Sequence, residues 1–141
     1  MPKPEPKIDM TKHLNKKRIL IVEDDPEVMK TFDALLTRNG YETSMANYAL
    51  PALFRATENP PDLILADLQM PMMTGLEMIS QFKGHADTHD IPVVVVTGCS
   101  SEESRAAAFK AGCDGFVTKP IDPVEFLAQV KHFCKKPQKR P

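Results

Sequence analysis

Five short apolar runs, separated by longer amphipathic segments with helix caps, narrow the folds open to this chain more than any other feature. The runs occupy residues 18–22, 41–46, 62–66, 92–97 and 114–117. Strict alternation of this kind specifies a parallel sheet covered by helices on both faces, because parallel neighbours need a crossover connection. Val93, Val94, Val95 and Val96 in succession predict a strand buried on both faces. The 141 residues hold one such domain with short tails, and a second folded unit does not fit. An apolar share of 42% is enough for a packed core and excludes wholesale disorder.

The gaps carry helix punctuation. Asp25-Pro26 sets an N-cap acid before a proline at the first helical position, and Asn39-Gly40 ends the helix that follows. Thr74 with Glu77, Ser100 with Glu103 and Asp122 with Glu125 each place a capping oxygen three residues before a carboxylate. Gly112 closes the fourth helix, and Phe126, Leu127, Val130 and Phe133 give the fifth an apolar stripe. The second helix is least marked: Asn47 is its candidate cap, and Pro51 must fall in its first turn.

The formal charge of -1 conceals a segregation of sign. Residues 1–17 carry five lysines against Glu5 and Asp9, residues 135–141 carry only basic charges, and the segment 18–134 between them is acidic. We read 1–17 as a flexible basic tail, 18–134 as the folded domain and 135–141 as a second basic tail. Neither tail interleaves aromatics with its charges, so nucleic-acid binding is not expected. No apolar run is long enough to span a bilayer or resembles a secretory signal, which predicts a cytoplasmic protein without membrane insertion. Cys99, Cys113 and Cys134 have no CxxC spacing and read as reduced thiols.

In doubly wound sheets ligands bind outside the carboxyl ends of the strands. Those ends here carry Glu23, Asp24 and Asp25, then Asp67, then Thr97, then Lys119-Pro120. Asp25 is explained as a helix cap; Glu23, Asp24 and Asp67 are not. Carboxylates converging on one crevice repel unless a cation neutralises them. With only oxygen donors present, the expected ion is Mg²⁺, for which Mn²⁺ substitutes, and not zinc or copper.

Four motifs in order then carry a resemblance: Ile19-Leu-Ile-Val-Glu-Asp-Asp25, Asp67-Leu-Gln-Met-Pro71 with Gly75, Val96-Thr97-Gly98, and Phe116-Val-Thr-Lys-Pro120. From about Arg18 to Cys134 the chain resembles the response regulator receiver domains of two-component systems, the CheY-like phosphoacceptor modules. The resemblance implies an α/β fold, a doubly wound five-stranded parallel sheet of strand order 2-1-3-4-5, flavodoxin/CheY-like. It implies phosphorylation of Asp67, with Asp24 holding Mg²⁺ directly, Glu23 through water and Gln69 through its backbone carbonyl. Lys119 would pair with Asp67 and then with the phosphoryl group, and Thr97 would donate its hydroxyl to a phosphoryl oxygen. Phe116 would be the aromatic that turns inward on switching, and a cis peptide would precede Pro120. The implied partners are a histidine kinase or histidine phosphotransfer protein as donor, and a downstream protein target.

Some positions depart from the family pattern. Phe116 is often tyrosine, and without the hydroxyl it cannot hydrogen-bond a partner. Gly98 replaces a small residue, and Thr74 replaces an aspartate before Gly75 yet still caps a helix. Gln69 and Cys99 sit at variable positions where they bear on the lifetime of the acyl phosphate. His85 and His89 are four apart, but their polar surroundings suggest a solvated loop; Met70, Met72 and Met73 read as core or rim filler, the last two also as possible kinase contacts. Three rival readings follow: a receiver-like binding module that works without phosphorylation, a flavin protein or hydrolase on the same architecture, and a receiver docked by its basic tails into a larger assembly. No glycine-rich loop follows the first strand, which counts against the second.

Overall fold

A computed structural model describes residues 16–70 and 72–134. Residues 1–15 of the N-terminal tail assigned to 1–17, the C-terminal tail 135–141 and Pro71 lie outside these residues. Five strands alternate with five helices: β1 (Arg18–Val22), α1 (Pro26–Arg38), β2 (Glu42–Ala46), α2 (Ala49–Glu58), β3 (Leu63–Ala66), α3 (Gly75–Gly84), β4 (Val93–Thr97), α4 (Glu102–Ala111), β5 (Gly115–Thr118) and α5 (Pro123–Cys134). All pairings are parallel and the order is β2-β1-β3-β4-β5. Strand positions therefore agree with the apolar runs to within one residue at each end.

Side-chain alternation divides the core between the two faces of the sheet. Leu20, Val22, Ile64, Ala66, Val93 and Val95 face α2, α3 and α4; Ile19, Ile21, Leu63, Leu65, Val94 and Val96 face α1 and α5. The four valines are all buried, as an interior strand between β3 and β5 requires. Each fully buried aliphatic side chain contributes about 1.5–3 kcal/mol, so the central strands dominate the stability of the sheet. β2 and β5 are edge strands, and Ser44, Met45 and Thr118 are exposed. Phe32 of α1 stacks on Phe126 of α5 at 5.3 Å between ring centroids, joining the two helices on one face.

Most helix punctuation operates as the sequence indicates. Asp25 accepts from the backbone N–H of Glu27 and Val28, Thr74 from Glu77, and Asp122 from Val124 and Glu125. Gly112 ends α4 in the left-handed region, at φ 117°. Two assignments are corrected. The cap of α4 is Ser101, which accepts from Ser104 N–H, because the chain after β4 runs one residue further before turning. The cap position of α2 is Tyr48, which makes no side-chain capping bond, and Asn47 lies outside the helix. Pro51 falls at the third helical residue, inside the first turn, where its missing N–H costs no helical bond. Ala49, Ala52 and Ala56 let this uncapped helix sit close to the sheet. The Lys119-Pro120 bond is cis.

Gly75, the first residue of α3, has a specific steric reason. A Cβ there would lie 2.5 Å from Leu68 Cα and 2.7 Å from the carbonyl oxygen of Asp67. Gly84, at the other end of the same helix, has open space where a Cβ would go. Gly75→Ala is therefore expected to lower unfolding free energy by about 1–3 kcal/mol in urea titrations, the usual range for overpacking. Gly84→Ala should be neutral or stabilise by up to ~1 kcal/mol. Equal stability of the two variants would show that the backbone beside Asp67 is not held against α3.

Candidate functional site

The sheet ladder continues one residue beyond the strands, and this fixes the backbone of the site. Val22 of β1 is in register with Ala66 of β3, and Thr97 of β4 with Thr118 of β5. Just past those ends, Asp67 N–H donates to the Val22 carbonyl at 3.1 Å, Glu23 N–H to Ala46 at 3.1 Å, and Lys119 N–H to Thr97 at 2.9 Å. Glu23, Asp67 and Lys119 thus stand on one edge of the sheet through backbone bonds, independent of any ligand.

Their side chains meet there. Lys119 Nζ lies 2.7 Å from Glu23 Oε2 and 3.3 Å from Asp67 Oδ2. Glu23 is 2% exposed and Asp67 5%, so both carboxylates are nearly out of water. Their remaining oxygens are also occupied: Glu23 Oε1 accepts Asp25 N–H at 3.2 Å, and Asp67 Oδ1 accepts Gln69 N–H at 3.1 Å. The sequence reading paired Lys119 with Asp67; the ammonium reaches both acids, and the shorter contact is to Glu23. Burial, reinforced by the charge of Asp67, pushes the Glu23 carboxyl above its ordinary value despite the bond from Lys119. Burial by itself would lower Lys119, but the Glu23 bond and the Asp67 charge outweigh it and hold the ammonium form more firmly than usual.

Exposed Asp24 completes the cluster. Glu23, Asp24 and Asp67 each offer one carboxylate oxygen within 4.8 Å of the others. Three carboxylates face one ammonium, and the surplus negative charge together with the all-oxygen donor set fits a hard divalent cation such as Mg²⁺. Neither His nor Cys belongs to this group. A partly open edge with one exposed acid leaves room for water or a phosphoryl oxygen beside such an ion.

Thr97 is fully buried, and its Oγ1 accepts the N–H of Cys99 at 3.2 Å. Among the described residues its hydroxyl donates no hydrogen bond. Phe116 is 8% exposed and packs inward in the core layer between the sheet and α2–α4. Gly98 has nothing within 4 Å of where a Cβ would stand, so the approach beside Thr97 is open. Gln69 is exposed; the bond from its N–H to Asp67 is a contact the sequence reading missed, and a residue two positions after a strand-end aspartate is the Asx-type signal that could have supplied it.

Among known proteins, the response regulator receiver domain family model matches residues 19–131. The polar-differentiation response regulator DivK of Brucella ovis is 36% identical over 117 residues, covering 83% of this chain and 95% of the relative. A CheY-like response regulator receiver domain protein from Methanospirillum hungatei superposes with a TM-score of 0.79 at 29% identity, over 85% of this chain and 94% of that one. The chemotaxis protein CheY4 of Vibrio cholerae gives 0.80 at 25% identity, over 84% and 98%.

Residues set aside in the sequence reading keep that standing. His85 and His89 are exposed turn residues beside Asp87 and Asp90, and each ring faces a neighbouring carboxylate at 3.8 and 3.2 Å. Met70 and Met73 pack against the core, whereas Met72 is 85% exposed at φ 73°. Among the described residues no helix is long and apolar enough to cross a membrane. All three cysteines are free thiols. Burial and the charge of Asp114 push Cys113 up to about 11, and burial and the charge of Asp62 push Cys134 up to about 12. Cys99 is the half-buried one. At about pH 8 a thiol reagent should modify one cysteine quickly in the folded protein, and Cys99→Ala should remove that reaction, since thiolate fraction and access set the rate. Three fast thiols, or a fast reaction surviving in Cys99→Ala, would contradict this burial pattern.

Proposed function

Because the chain belongs to the response regulator receiver domain family, we propose that it is a stand-alone phosphoacceptor that takes a phosphoryl group onto Asp67 from a histidine kinase or histidine phosphotransfer protein and signals through protein contacts. The observation that carries this reading is the buried Asp67 carboxylate, 3.3 Å from Lys119 Nζ and clustered with Glu23 and Asp24. Receiver domains bind Mg²⁺ at an acidic pocket, and the acidic cluster here has the composition for it. Glu23, Asp24, Asp67 and the backbone carbonyl of Gln69 would hold the ion. When bound, it offsets charge on the phosphoryl oxygens.

An Asp67 oxygen attacks the phosphorus of the phosphohistidine; the new O–P bond forms as the N–P bond breaks, and the imidazole leaves and takes up a proton. Little further covalent chemistry is asked of the protein, so positioning and electrostatics decide the rate. Lys119 stays an ammonium and follows the charge from carboxylate to phosphoryl oxygen. Thr97 turns its uncommitted proton toward another phosphoryl oxygen, and Phe116 packs into the space behind it. Autodephosphorylation is attack of water on phosphorus, which releases inorganic phosphate and restores the carboxylate. No other turnover is assigned to the chain.

A groove of about 560 Å³ beside Lys119, lined by Val28 and Phe32 of α1 together with Pro120 and Ile121, offers the donor protein an apolar surface next to the acceptor. The outgoing signal is assigned to α4, β5 and α5, roughly residues 101–134. Nucleic-acid binding and membrane insertion are not expected of the chain. The reading in which the domain works without phosphorylation is disfavoured by the full acceptor set, which a pure binding module does not need.

Acetyl phosphate with Mg²⁺ is expected to add one labile phosphoryl group, seen by intact-mass spectrometry, and Asp67→Asn should abolish it. Lys119→Ala should slow its formation by about 10²-fold, the scale of losing one preorganised charge stabiliser. Mg²⁺ should raise the melting temperature by mass action, by about 1.4 kcal/mol at ten times its dissociation constant, and Asp24→Asn should remove most of that gain. An adduct that persists in Asp67→Asn would sink the assignment.

A further inference from the structure

Arg105, one turn into α4, lies across two aromatic rings. Its guanidinium carbon is 5.6 Å from the centroid of Phe116 and 5.4 Å from that of Phe109, both within cation–π range. Phe109 is 41% exposed, whereas Phe116 is 8% exposed beneath the guanidinium. The same turn of α4 is also tied to Thr97. Cys99 N–H donates to Thr97 Oγ1 at 3.2 Å, Cys99 Sγ and Ser104 Oγ share a hydrogen bond at 3.0 Å, and Ser104 N–H is capped by Ser101 at 3.1 Å. One helix turn thus holds the hydroxyl through Cys99 and Ser104, and the aromatic through Arg105.

A phenylalanine has no phenolic oxygen with which to fix its orientation, so its inward packing depends on shape and on what covers its ring. We infer that Arg105 is a positioning residue for Phe116: the guanidinium over the ring holds the aromatic inward and so biases the domain toward the packing that accepts the phosphoryl group. This rests on the reading above, in which inward Phe116 and phosphorylated Asp67 favour each other. By linkage, anything that lowers the population of the inward packing lowers the apparent ease of phosphorylation by the same factor. An exposed cation–π contact is worth enough to change the ratio of inward to outward packing about two- to five-fold, so the inward population falls by up to that factor.

The test measures the initial rate of Asp67 phosphorylation by acetyl phosphate at fixed Mg²⁺. Arg105→Ala and Arg105→Gln should each slow it measurably, by up to about five-fold, while Arg105→Lys, which keeps the cation, should restore most of the rate. Arg105 is exposed, so these variants should melt like the parent. In a Phe116→Leu background, with folding checked by its melting curve, Arg105→Ala should have no further effect, because the ring face is gone. Phe116→Met serves the same purpose should the leucine variant not fold. An unchanged rate in Arg105→Ala, or the same loss with and without the ring, would overturn the inference. Absence of any Asp67-dependent adduct in the parent protein is a different result and overturns the signalling reading itself.

Discussion

Everything at the site follows from one imbalance: three carboxylates and one ammonium are held at one edge of a rigid sheet. The backbone bonds that extend the ladder past β1, β3 and β5 leave Glu23, Asp67 and Lys119 no freedom to separate. Lys119 neutralises only part of the charge, and Glu23, deeply buried, is left with a carboxyl harder to ionise than usual. Phosphorylation would turn the single negative charge of the Asp67 carboxylate into the roughly two of an acyl phosphate at neutral pH, a net gain of about one. The arrangement is therefore adapted to work with an added cation, and the exposure of Asp24 leaves that cation an open side.

The opposite edge of the sheet is an instructive contrast, because it uses the same residue types to a different end. There Asp114 accepts from Lys83 Nζ and from Val93 N–H, both at 2.8 Å, and Asp62 accepts from Arg18 N–H at 2.8 Å. Arg18 also reaches Asn59 and the carbonyl of Pro60. Asp114 has a cation of its own, and both acids hold backbone N–H groups at strand starts, so these contacts pin loops to the sheet. At the carboxyl edge the acids share a single lysine. What sets the carboxyl edge apart is that several acids share one cation there, not the type of residue.

Much of this was legible in the sequence because the signals are local. Alternating apolar runs gave the strands, and Asp25-Pro26, Thr74 and Asp122 gave three helix starts, since each depends only on residues within one turn. What escaped depends on distance or on neighbouring geometry. Ser101 and not Ser100 caps α4, a one-residue shift set by how the chain leaves β4. Nothing in the sequence marks Tyr48 as the start of α2, a helix placed by packing its alanines on the sheet. Lys119 lies nearest Glu23, 96 positions away, a contact that no local motif encodes. Arg105 over Phe116 joins a helix to a strand and has no periodic signature.

Thr97 and Phe116 need no long pathway to communicate. Val95 of β4 is in register with Phe116 of β5, and Thr97 follows Val95 by two residues, so alternation puts the hydroxyl and the ring on the same face of adjacent strands. α4 lies over that face, with Ala108 in the same core layer as Phe116. On the function proposed above, a small displacement of the Thr97 hydroxyl toward Asp67 would open space for the neighbouring ring, and close-packed interiors turn such shifts into discrete alternatives. Through Ser104 and Arg105 the first turn of α4 touches both neighbourhoods, so on the function proposed above a change at Asp67 would reach the surface there.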